Sequence, residues 1–154
     1  MPVVRRDVLL SMFAASAVPA IAGAADHSEL ETFTTRLLRA FENLDMPTFI
    51  DCFADDATVF FPAPEPPLRV SGRSAIQERF ENVFAGIARS ATGGPPFHKL
   101  DPQDLQFQSL EPHVALVSFH LLNATRTARR TLVVRKARGA WRIAHLHASN
   151  GPPV

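Results

Sequence analysis

The chain has 154 residues, with 16 basic side chains against 15 acidic ones and a net charge of +1 when histidine is neutral. That length suits one domain with a single core, and the balanced charge gives no electrostatic footprint for nucleic acid or an anionic membrane. Cys52 is the only cysteine, so no intramolecular disulfide is available. In an apolar helical stretch it reads as a small buried hydrophobe.

The first residues, MPVVRRDVLLSMFAASAVPAIAGAADHSE, run from basic to apolar to small. Arg5-Arg6 precede an uncharged run from Val8 to Ala22, and Ala22 and Ala24 form an A-x-A pattern. This order marks an export signal, and the doubled arginine with apolar residues behind it suits the twin-arginine route. The apolar run is shorter than the about 20 residues needed to span a bilayer, and Pro19 lies within it. Residues 1–25 are therefore expected to be cleaved after Ala24 or Ala25, leaving residues 26–154 as a periplasmic or secreted domain with no membrane attachment. Losing Arg5, Arg6 and Asp7 makes that domain neutral.

Ser28 and Glu31 have capping-box spacing, and Leu30, Phe33, Leu37, Leu38, Phe41 and Leu44 follow on one helical face. Asp45 with Pro47 starts a short second helix. Asp55-Asp56 is expected to end it, as turn or cap residues, before the β-rich run ATVFFP. The proline-dense APEPPLRVSG reads as a loop with at most an edge strand. Ser74 and Gln77 form a second capping-box candidate, opening a helix with Ile76, Phe80, Val83, Phe84 and Ile87 inward. SATGGPP breaks that helix. Four strand-like runs then follow, DLQFQSL, VALVSFHLL, RTLVVRK and AWRIAHLHAS, with turn signals at LEPH, NATRTA and ARGA. Helices followed by an antiparallel meander give an α+β plan, with the helices on one face of the sheet.

Four strings stand in this order: FADDATVFFP (Phe53 to Pro62), SGRSAI (Ser71 to Ile76), RFENVF (Arg79 to Phe84) and the closing GAWRIAHLHASNGPP. Together they resemble the SnoaL-like domains of the nuclear transport factor 2-like superfamily, over about Glu29 to Pro152. The last two strings also resemble the association domain of calcium/calmodulin-dependent protein kinase two. The resemblance implies a cone: three N-terminal helices packed on a curved, mainly antiparallel sheet, a pocket between them, and a homodimer or higher homo-oligomer. It implies no single activity, because the superfamily holds isomerases, cyclases, dehydratases, ligand carriers and assembly modules.

Steroid isomerases of the superfamily carry a general-base aspartate in the first strand and use a tyrosine as oxyanion donor. The matching base position here is Phe61, and the chain contains no tyrosine. A phenyl ring cannot abstract a proton, and the phenol donor is missing, so that mechanism is excluded. The pocket arginines of the kinase association domain align with Leu132 and Ala148, both apolar; Arg130, two residues from Leu132, is a candidate substitute.

If the last strand is regular, Trp141, Ile143, His145, His147 and Ser149 share one face. A His-x-His pair on a strand suits a metal only with a third and usually a fourth ligand. His120 and His98 are the donors at hand, and no spacing ties them together, so no metal and no cofactor is expected. The imidazoles can also serve as acid–base groups or as structural hydrogen-bonding groups. The candidate pocket residues are thus Phe61, Phe84, His120, Arg130, Trp141, His145 and His147, with His120, His145 and His147 as catalytic candidates. Twelve phenylalanines make the expected pocket apolar, suited to a small apolar or aromatic ligand. The expected function is ligand binding with no reaction assigned. The alternatives are a cofactor-independent isomerase, cyclase or lyase working through histidine, and an oligomerisation module.

Overall fold

A computed structural model describes residues 26–63, 65–123 and 125–153. The export signal expected over residues 1–25 lies outside them. The order of elements is α1 (His27–Glu42), α2 (Met46–Asp51), β1 (Phe53–Phe60), β2 (Arg69–Ser71), α3 (Arg73–Ser90), β3 (Pro102–Glu111), β4 (Val114–Asn123), β5 (Arg126–Ala137) and β6 (Ala140–Gly151). This is an α+β fold. Among the described residues no helix is long and apolar enough to cross a membrane.

Side-chain acceptors cap α1 and α2 but not α3, and two of the three starts differ from the capping-box expectation. Asp26, not Ser28, caps α1, its carboxylate accepting from the Ser28 amide at 2.9 Å. Gly72 caps α3 with no side-chain acceptor, and Gln77 instead bonds Glu81 along the helix. Asp45 does cap α2, accepting from the Thr48 amide at 3.2 Å with Pro47 in the first turn. Asp55 and Asp56 are neither turn nor cap residues. Helix α2 ends at Asp51 and the chain enters β1 at once, so both carboxylates stand exposed on that strand, paired with Arg73 and Arg135.

The six strands run β2-β1-β6-β5-β4-β3. Four neighbouring pairs are antiparallel, but β1 and β6 are parallel, so the sheet is mixed. The proline-rich segment yields only the three-residue edge strand β2. Arg138 and Gly139, both with positive φ, form the two-residue turn between β5 and β6, the geometry that a right-handed strand twist favours.

The helices bury Leu30, Phe33, Leu37, Phe49, Ile76, Phe80 and Phe84 against one face of the sheet, in a single cluster with Phe53, Val59, Val117, Leu132, Val134, Trp141 and Ile143. Phe49 meets Phe53, Phe80 and Phe84 at ring-centroid distances of 5.3, 4.7 and 5.3 Å. These rings fill the space between α2, α3 and β1. Glu29 fastens the start of α1 to the sheet, accepting from Lys136 Nζ at 2.6 Å and from Trp141 Nε1 at 3.0 Å.

One irregularity decides which face each late residue occupies. Val134 pairs with Ile143 but Val133 pairs with His145, so Ala144 is an extra residue on β6. Such a bulge reverses the alternation beyond it. Trp141 and Ile143 face the core, and so do Leu146 and Ala148, all buried. The shared face expected for Trp141, Ile143, His145 and His147 therefore does not exist: both histidines lie on the outer face, away from the helices.

Candidate functional site on the outer face of the sheet

The register extends that outer face across β4, β5 and β6. Thr131 pairs with His147, Val133 with His145, Ser118 with Thr131, and His120 with Arg129. His120, His145 and His147 are thus on one side of the sheet, and it is not the side packed on the helices. They do not form one cluster. His145 and His147 sit beside β1, where His145 Nδ1 shares a 2.7 Å hydrogen bond with Thr58 Oγ1. Phe60 lies 5.8 and 5.7 Å from their rings, and Arg69 stands over Phe60. Burial, then the neighbouring His147 and Arg69, hold the His145 imidazole below its ordinary range. No group of three or more metal-ligating side chains occurs among the described residues.

His120 belongs to a different place, a groove of about 400 Å³ running over β3, β4 and β5. Its walls are Asp104 on β3, Ser118 and His120 on β4, and Thr127, Arg129, Arg130 and Thr131 on β5, with Phe119 beneath. Asp104 has φ 51° at an irregularity of β3, and its carboxylate accepts from Gln106 Nε2 at 3.0 Å. Arg130 donates from Nη1 to the carbonyls of Arg129 (2.7 Å) and Ser149 (3.5 Å). Among the described residues it has no carboxylate partner. Burial, with a smaller contribution from Arg126, pushes its guanidinium down to about 10.

The other candidates are placed elsewhere. Phe61 packs on Phe80 at 5.1 Å with Arg79 over its ring. Phe84 is buried against Phe41, Phe49 and Phe80. Trp141 is buried beside Glu29. His98 rests against Phe41 in the segment following α3. Of the seven pocket candidates, only His120 and Arg130 border this concavity, and the pairing of Arg130 with Phe119 and Ala148 sets its side chain on the core-facing side, opposite His120. Asp104, Ser118, Thr127, Arg129 and Thr131 were not singled out. The alternation Thr127, Arg129, Thr131 is visible in the sequence once the NATRTA turn is fixed; the cross-strand register that sets them beside His120 is not.

The sequence profile of the SnoaL-like domain matches residues 30–154. The chain belongs to the SnoaL-like domain family. No curated protein matches it. Among solved structures it is similar to a nuclear transport factor 2-like protein of Pseudomonas putida, 21% identical, covering 82% of this chain and 89% of that one with a TM-score of 0.66. It is also similar to a ketosteroid isomerase-like protein of Erwinia carotovora (18% identity, 82% and 96% covered, TM-score 0.63). A third is the β subunit of the benzoate 1,2-dioxygenase of Burkholderia mallei (12% identity, 84% and 93% covered, TM-score 0.62). At these identities the likeness is one of fold, and the SnoaL-like fold hosts more than one chemistry.

Proposed function

We propose that this SnoaL-like domain binds a small molecule in the groove over β3, β4 and β5, with no reaction assigned. The observation that carries the reading is the concavity that brings His120 and Arg129, cross-strand partners, together on one side of the sheet, where Arg129 has no carboxylate partner among the described residues. The apolar or aromatic ligand expected from the phenylalanine content gives way to a more polar one. The phenylalanine rings pack on each other inside, whereas the groove is walled by hydroxyls, an imidazole, the Asp104 carboxylate and the Arg129 guanidinium.

An acid–base reaction in this groove would fall to His120, the one imidazole that lines it. An oligomerisation module would need a predominantly apolar outer face. Here Gln103, Gln106, Gln108, Ser118, Thr131, His145 and His147 occupy much of it, which favours ligand over assembly. A dimer built through the sheet would cover the same face, so sizing accompanies the test.

Native mass spectrometry of protein purified from cells should show a retained small molecule, released on denaturation. Ser118→Trp, which fills the groove from β4, should abolish retention while circular dichroism stays unchanged. Retention that survives Ser118→Trp would place the ligand elsewhere.

A further inference from the structure

The two ends of the groove differ in charge. Asp104 is on β3 and the arginines are on β5, two strand spacings or about 10 Å apart. Arg126, Arg129 and Arg130 form no ion pair among the described residues, although five other basic side chains do. Arginine that is left unpaired beside a concavity is suited to a planar or tetrahedral oxyanion, which it grips through two N–H groups at once.

A second observation points the same way. Thr127 is 4% exposed, lines the groove, and its Oγ1 has no hydrogen-bond partner. A buried hydroxyl without a partner is costly, and a ligand oxygen in the groove would offset that cost. Across from Thr127 stands Gly151, which leaves room that the Arg129 guanidinium occupies: a Cβ there would fall 3.0 Å from its Nη1 and Nη2. Arg129 is otherwise exposed. It lies beside Thr127 as a long side chain free to lift.

Resting on the groove as the ligand site, we infer that the β5 end holds the oxyanion of that small molecule, a carboxylate or a phosphate, between Arg129 and the hydroxyls of Thr127 and Thr131. Engagement draws Arg129 off Gly151 and gives the Thr127 hydroxyl the acceptor it lacks. Asp104 repels a second negative charge at the far end, so the ligand carries its anion at one end only. His120 and Ser118, on the strand between, face the middle of the ligand.

The inference is tested by following backbone amide resonances of the protein during titration with benzoate, its neutral isostere benzamide, and inorganic phosphate. Benzoate or phosphate should shift the resonances of Ser118, Thr127, Arg129 and Thr131, and benzamide should not; which of the two anions binds tells carboxylate from phosphate. Arg129→Met should weaken the anion about tenfold or more, the scale of one lost charge-assisted contact, and Arg129→Lys should recover part of it. Asp104→Asn, tolerated at positive φ, should tighten binding a few-fold. Thr127→Val should weaken binding without lowering the melting temperature, an outcome that a merely structural hydroxyl would not give. Benzamide binding as well as benzoate, or no shift from either anion, overturns the inference. The underlying reading fails separately, when a retained ligand survives Ser118→Trp.

Discussion

The two faces of the sheet differ in packing and in polarity. On the inner face Leu132, Val134, Ile143 and Leu146 are almost fully buried against helices that contribute Leu30, Phe49, Ile76 and Phe80. On the outer face the same strands present Thr131, Val133, His145 and His147, half-buried or exposed. The inner face is a continuous apolar layer in which each side chain is fixed by its neighbours. The outer face holds every candidate for proton transfer or ion recognition on β4, β5 and β6 apart from Arg130. The packed core and the proposed ligand groove are thus separated by the thickness of one sheet, and neighbours in sequence fall on opposite sides of the division.

Adjacent residues on β5 test that division most strongly. Leu132, 1% exposed among Val117, Leu146 and their neighbours, should cost about 2–5 kcal/mol on truncation to alanine, from lost transfer energy and the cavity left behind. Thr131→Ala, one residue earlier and on the outer face, should cost under about 1 kcal/mol. Urea unfolding of the two variants side by side measures the contrast; equal losses would mean the outer face is covered in solution, as in a sheet-mediated dimer.

A smaller effect is expected from deleting Ala144. Because that residue is the extra one between Ile143 and His145, its removal leaves a regular strand that still sends Leu146 inward and His147 outward. The deletion should fold and lose only the stability of a local rearrangement, within about 0.5–3 kcal/mol. Hydrogen exchange along β6 would report the repaired ladder. A chain that fails to fold, with Leu146 expelled, would show that the bulge sets the face assignment in some other way.

That bulge also explains what was and was not legible in the sequence. Strand and helix periodicity located the elements, because Leu30, Phe33, Leu37 and Phe80, Phe84 repeat at helical spacing and the last four strands are β-rich between plain turn signals. The SnoaL-like strings supplied the order of layers. The parallel pairing of β1 with β6 is a long-range fact with no local signal. The face of His145 depended on one unpaired alanine, which carries no compositional mark of a bulge. Capping boxes at Ser28 and Ser74 competed with Asp26 and Gly72, each two residues earlier, and the earlier residue won each time. The groove was out of reach for a further reason: its walls come from three strands whose mutual register depends on irregularities in β3.

The finest test of the division lies with His145, which is on the outer face yet touches the core-forming strand β1 through Thr58. Burial and the nearby His147 and Arg69 hold its imidazole below the ordinary histidine value near 6.5. In the unfolded chain His145 titrates normally, so between that value and the lower folded one the unfolded state binds more protons. Stability from this residue is therefore full above about pH 6.5 and is lost as pH falls towards the folded value. His145→Gln keeps a hydrogen-bonding group for Thr58 but cannot take a proton. Its stability should fall less steeply than that of the native chain between about pH 7 and pH 5, and imidazole resonances should show His145 titrating below the ordinary histidine range. An imidazole that titrates at or above that range, with parallel stability curves for the two proteins, would mean that the outer face solvates His145 like any surface histidine and that the boundary between the two faces is sharper still.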